Sequence, residues 1–373
     1  MRLRACSSAL ATAVLTVGLA AGATPAGAAA DPSAFLDRLH TVSPVASTVP
    51  GNGDVNPYGT FTIRESVGDL HRGNVLISNF NNSANAQGTG TTLVQITPGG
   101  TRTTFATIDP NNLPGPCPGG VGLTTALTVL PGGWVVVGSL PTTDGTSATA
   151  QAGCLLVLDK HGTVRETLVG DGINGPWDMT AISIGKRSEL FVTNVLNGTV
   201  AGNGQQVDQG TVLRITLCDA GDEPPQRVAT TVIGSGFPER TDPAALVVGP
   251  TGVGLGHDGS LFVADTVLSR ITAIPNAIFR TDSAGTGQLV TTGGSLNGPL
   301  GMAITPRGDV LTVNGGDGNI VETTPAGEQV AVKQINNEGS PPGSGALFGL
   351  ALDLDRDAVY FVNDADNALD VLH

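Results

Sequence analysis

Six positions carry the side chains best suited to hold a ligand. Asn79, Ser139, Asn194, Asp265, Asn314 and Asn363 each end a β-branched run, at intervals of 60, 55, 71, 49 and 49 residues. Brought into one ring, these amides, one hydroxyl and one carboxylate offer oxygen ligands to a hard cation such as Ca²⁺. The same side chain types also bond the backbone of turns that they start, and both readings stay open. A second set stands where the preceding runs begin: Tyr58, Trp177, Asp178, Leu300 and Phe348. An apolar floor beside a polar ring is a common lining of small-molecule sites, although Trp177 and Phe348 equally suit packing between repeats. Asp178 and Asp265 are the carboxylates in these sets, and so the candidate metal ligands. Cofactor chemistry beyond Ca²⁺ has no motif: Cys-x-x-Cys pairs, a phosphate loop and a Gly-x-Ser-x-Gly elbow do not occur.

The elements that must position these residues are strands. Gly is 53 and Pro 24 of 373 residues, and only 13% are charged, which excludes a helical bundle and favours many short strands and turns. A hydrophobic content of 40% excludes wholesale disorder. One pattern recurs: a glycine-anchored apolar strand, a turn, then a β-branched strand ending in a small or polar residue. Clear copies run over 252–265, 301–314 and 349–363, and weaker ones over 59–79, 122–139 and 177–194. Two more strand-like runs follow each pair, as in 92–97 and 101–107. Four strands per repeat at this length predict an all-β six-bladed β-propeller. The last repeat has only three strands, and residues 41–49 supply the missing outer one. An N-terminal strand thus completes the last blade and closes the ring.

If the first strand of each blade starts at the top of the channel, the 2–3 loops also lie on top. Three of these are long and rich in Asn, Gly, Thr and Gln: residues 79–91, 139–153 and 194–210. They suggest a polar rim or lid, and a top face that binds a small molecule, a carbohydrate or a protein. His71, His161 and His257 fall in bottom turns, away from that face, so none is placed as a general base there.

The segments Gly249-Pro-Thr-Gly-Val-Gly-Leu-Gly-His-Asp-Gly-Ser-Leu-Phe-Val-Ala-Asp265 and Gly298-Pro-Leu-Gly-Met-Ala-Ile-Thr-Pro-Arg-Gly-Asp-Val-Leu-Thr-Val-Asn314 resemble the NHL repeat. The likeness extends, diluted, over nearly all of 41–373. Related six-bladed propellers include the gluconolactonase and senescence-marker-protein lactonases, whose metal ligands are acids or amides just before the glycine that opens strand 1. The resemblance therefore implies, as an alternative, a Ca²⁺-dependent lactonase or hydrolase, with Asp178 and Asp265 holding the metal beside Asn79 and Asn194. The positions before the opening glycines read Tyr58, Thr251, Leu300 and Phe348, which departs from that pattern. A third reading is a scaffold.

Residues 1–30 read as a secretory leader: Arg2 and Arg4, an apolar run from Ala9 to Ala21, and a cleavage site near Ala30. The mature chain is then one domain, 31–373, secreted and monomeric. Losing both arginines takes the formal charge from −14 to −16, which opposes nucleic acid and anionic membrane surfaces. An exported protein can hold disulfides. Cys117 and Cys154 lie within one repeat and are the expected pair, with Cys218 left as an odd thiol.

Overall fold

The computed structural model describes residues 34–373, so the expected leader lies outside the described residues. Six antiparallel sheets surround one axis. Blade 1 holds β2 (Val55–Thr62), β3 (Val75–Asn81), β4 (Thr92–Ile96) and β5 (Arg102–Thr107). Blade 2 holds β6 (Leu123–Leu130), β7 (Trp134–Ser139), β8 (Cys154–Leu158) and β9 (Val164–Leu168). Blade 4 holds β15 (Pro250–Leu255), β16 (Leu261–Asp265), β17 (Arg270–Ile274) and β18 (Gln288–Thr292). Blade 5 holds β19 (Pro299–Ile304), β20 (Val310–Asn314), β21 (Asn319–Thr323) and β22 (Gln329–Gln334).

Blade 6 is closed as the sequence predicts. Its order is β23 (Leu347–Asp353), β24 (Ala358–Asn363), β25 (Ala368–Leu372), then β1 (Val42–Ser47) from the other end of the chain. Pro44 is tolerated there because β1 is the outermost strand, where an N–H on the free side has no partner to lose. Just ahead of it, the Glu322 carboxylate accepts the backbone N–H groups of Phe35 and Leu36, both at 2.8 Å, and seats the chain start against blades 5 and 6.

Blade 3 departs from the expected four strands. It holds β10 (Gly175–Ile184), β11 (Arg187–Val195), a long hairpin of β12 (Val207–Ala220) and β13 (Glu223–Asp242), and a fifth strand, β14 (Leu246–Val248). Val228, Thr230, Thr231, Val232 and Ile233 favour strand in the middle of β13, which continues past Gly234, Gly236 and Pro238 with several register shifts against β12.

The innermost strands β2, β6, β10, β15, β19 and β23 touch in that order, and β23 returns to β2. Each bulges at the same level: between Pro57 and Thr60, Leu123 and Leu127, Pro176 and Met179, Pro250 and Val253, Pro299 and Met302, and Leu347 and Leu350. Proline is acceptable just before four of these bulges because an innermost strand has one unpaired edge. Glycine follows because neighbouring inner strands meet there. A Cβ at Gly301 would collide with the Phe348 carbonyl, and one at Gly349 with that of Tyr58. The recurring glycine of the repeat thus marks the waist of the ring.

Cys117 and Cys154 form a disulfide with a Cα–Cα distance of 5.3 Å, as expected. The expectation for Cys218 is corrected: no described cysteine is a free thiol. No helix among the described residues is long and apolar enough to cross a membrane.

Candidate functional site

The six strand-2 ends are buried, each 3% exposed or less. Their side chains are engaged with the turns around them. Asn194 Oδ1 accepts the N–H groups of Asn174 (2.8 Å) and Gly175 (3.2 Å), while its amide donates to Gly172 O and Thr211 Oγ1, both at 2.9 Å. Asn79 donates to Thr48 O and Thr92 Oγ1, and Asn314 to Ser295 O. Ser139 accepts from Gly122 N and donates to Gly120 O. Asp265 pairs with Arg270 at 2.7 Å, and Asn363 donates to Asp370. In four blades the strand-2 end thus staples the link that leads into its own blade. The local-bonding alternative accounts for the donated bonds, while Asn79 Oδ1 and Asn314 Oδ1 have no hydrogen-bond partner among the described residues.

Tyr58, Trp177, Leu300 and Phe348 come together on the axis at the top, inside one buried apolar cluster with Phe80, Leu140, Leu246 and Val247. The Tyr58 ring stacks on Phe80 at 4.5 Å and on Phe348 at 4.0 Å between centroids. Trp177 Nε1 donates to Val247 O at 3.2 Å, which ties the plug to β14. The long top loops interlock above it: Thr142 donates to Gln87 O at 2.6 Å, and Gln87 donates to Pro243 O at 2.8 Å. Aromatic packing fills the mouth beneath these loops. The apolar floor expected there is packed as a seal on the channel axis.

The open space lies at the other end. A cavity of about 1110 Å³ runs from the waist of the ring to the bottom face, slightly above the usual range for small-molecule sites, about 300–1,000 Å³. Its walls are the inner strands below the bulges. Phe61, Leu127, Val129, Ile182, Leu255 and Ile304 supply apolar surface, and Thr60, Thr62, Thr125 and Thr180 supply hydroxyls. The hydroxyls of Thr60, Thr62 and Thr125 have no hydrogen-bond partner among the described residues. Arg64, Glu65, Arg72, His257, Asp353 and Asp355 stand at the mouth. The loop between β2 and β3 borders this mouth. Asp69 N bonds Lys160 O at 2.9 Å in blade 2, and Arg72 forms an exposed ion pair with Asp355 of blade 6 at 2.8 Å.

Asp178 sits at the deep end of this cavity, 8% exposed. It occupies the bulge position where four other blades have glycine. Its carboxyl accepts Met179 N at 2.8 Å and Val253 N at 3.1 Å, the second across the seam to blade 4. Burial drives its pKa up to about 7, against the pull of those two donors. No cationic side chain pairs with it among the described residues.

The residues do not fit a Ca²⁺ ion. Of the positions before the opening glycines, Tyr58, Leu300 and Phe348 belong to the seal and Thr251 bonds Pro299 O, with no carboxylate or amide among them. Asp178 and Asp265 do not join a cluster: no group of three or more His, Cys, Asp or Glu side chains suited to a metal occurs among the described residues. Asp265 is already neutralised by Arg270.

Solved structures share this architecture. A gluconolactonase from Xanthomonas campestris is 13% identical, with 86% of each chain covered and a TM-score of 0.53. A calcium-binding protein, regucalcin, from Agrobacterium tumefaciens is 12% identical, covering 88% of this chain and 94% of that one, TM-score 0.51. A streptogramin B lyase is 15% identical, covering 89% and 97%, TM-score 0.50. The chain has the fold of these six-bladed propellers. No protein-family profile matches it, and no curated protein is significantly similar in sequence. Within this propeller fold, sequence reasoning missed the threonines of the inner strands; it placed His257 in a bottom turn without linking that turn to the channel mouth. A threonine two places from another inward residue on a first strand was the available signal.

Proposed function

We propose that this propeller binds a small molecule in its central channel, admitted from the bottom face, without a metal ion. One observation carries the reading: the channel is sealed above by Tyr58, Trp177 and Phe348 and open below, over about 1110 Å³. Mostly apolar walls with Asp178 at the deep end suit an amphipathic ligand held by burial and a directed polar contact. The disulfide and the leader-like start support extracellular binding by a single chain. The lactonase reading has the fold in its favour and the donor set against it.

A neutral fluorescent probe of apolar cavities, N-phenyl-1-naphthylamine, tests this. The wild type is expected to bind it at one site. Thr180→Trp, which fills the channel, should weaken binding at least tenfold, while Thr143→Trp in the top loops should leave it unchanged. The opposite pattern, or no saturable binding, would overturn the proposal.

A further inference from the structure

The geometry points to an amphipathic amine as the ligand class, its nitrogen paired with Asp178 at the deep end of the channel and its apolar body along the channel wall. This rests on the reading that the channel binds a small molecule.

The argument starts from the waist of the ring. Inner strands meet there so closely that Gly59, Gly252, Gly301 and Gly349 leave no room for a side chain. Blade 3 alone puts a carboxyl into that register. A carboxyl 92% removed from solvent is costly unless it is paired or hydrogen-bonded. Asp178 has the hydrogen bonds from Met179 and Val253 but no cation. Both of those donors are backbone groups, so each oxygen keeps acceptor capacity that the protein does not use.

The surroundings narrow the partner further. Thr60 and Thr125 line the same cavity, with hydroxyl oxygens enclosed by protein and not open to it. A primary or secondary ammonium carries several N–H donors to match the two oxygens of a carboxylate. Burial keeps Asp178 protonated until about pH 7 when the channel holds no cation; an ammonium would pair with its ionised form, whereas an anionic head group would meet like charge. Beyond Asp178 the wall turns apolar, through Leu127, Ile182, Leu255 and Ile304, which suits a hydrocarbon or aromatic body. The mouth itself is close to charge-balanced, because Arg72 pairs with Asp355, Arg356 pairs with Asp353, and Arg64 adjoins Glu65; the chain charge of −14 favours the approach of a cation.

The test displaces N-phenyl-1-naphthylamine with n-octylamine, n-octanol and n-octanoate, which differ only in the head group. Octylamine is expected to compete at least tenfold better than octanol, and octanoate to compete worst. Asp178→Asn should bring octylamine to within twofold of octanol. Thr180→Lys, which introduces an ammonium into the channel, should do the same if the asparagine variant fails to fold. Equal competition by octanol and octylamine in the wild type would overturn the amine assignment while leaving channel binding in place. A preference that survives Asp178→Asn and Thr180→Lys would also overturn it. Absence of probe binding altogether would overturn both.

Discussion

Gly301→Val is expected to destroy the folded ring, and Gly301→Ala to weaken it severely. The added Cβ would meet the backbone carbonyl of Phe348, not the flexible end of a side chain. Relief requires moving blade 6 away from blade 5, and in a closed ring that displacement has to be shared by every other seam. Overpacking in a core ordinarily costs about 1–3 kcal/mol; a backbone collision at a closed waist belongs with the exceptional cases above about 4 kcal/mol. Gly349, which faces the Tyr58 carbonyl, should behave alike. Gly51, where a Cβ meets nothing within 4 Å, is the control, and Gly51→Ala should stay within about 0.5 kcal/mol of wild type. Urea midpoints decide the matter. A Gly301→Ala midpoint close to that of wild type would mean that the inner strands do not meet as described.

The second large effect is on pH. Burial lifts Asp178, Glu239 and Asp364 each to about 7 from ordinary values of 3.8, 4.5 and 3.8. In the unfolded chain these groups lose their protons near pH 4; in the folded protein they keep them until about 7. Between those limits the native state binds more protons, so stability falls as pH rises and levels off above about 7. For a fully buried group such as Asp178 the contribution is on the order of 4 kcal/mol at most. The carboxyls held low, Asp144, Asp159, Asp258 and Asp355, work in the opposite sense but only in more acid solution, below their ordinary 3.8. The urea midpoint should therefore be higher at pH 5 than at pH 8, and Asp178→Asn should flatten that slope. A midpoint that rises over the same range would contradict the burial of these groups.

The residues differ in how far the sequence alone could place them. The repeat fixes its own explanation: glycines such as Gly301 recur because inner strands touch, and Asn194 recurs because a strand end must be tied to the link entering the blade. Residues 41–49 could be assigned to the last blade because that blade was one strand short. The direction of the channel was not legible. Loop length pointed to the top, yet which end is sealed depends on four side chains, Tyr58, Trp177, Leu300 and Phe348, contributed by four blades and meeting only when the ring closes. Asp178 stood out as an acid near an opening position. Its register, in the glycine's own place and not before it, became visible only through the bulges. The fifth strand of blade 3, with Leu246 and Val247 packed on the seal, likewise had no counterpart in the repeat from which to predict it.

The most direct measurement is the position of a bound ligand along the channel axis. Crystals soaked with 8-bromooctan-1-ol, phased on the bromine anomalous signal, are expected to show the halogen inside the channel between the level of Asp178 and the mouth at His257. Bromine found only among the top loops, around 82–91, 143–149 or 199–206, would contradict a channel sealed above and open below.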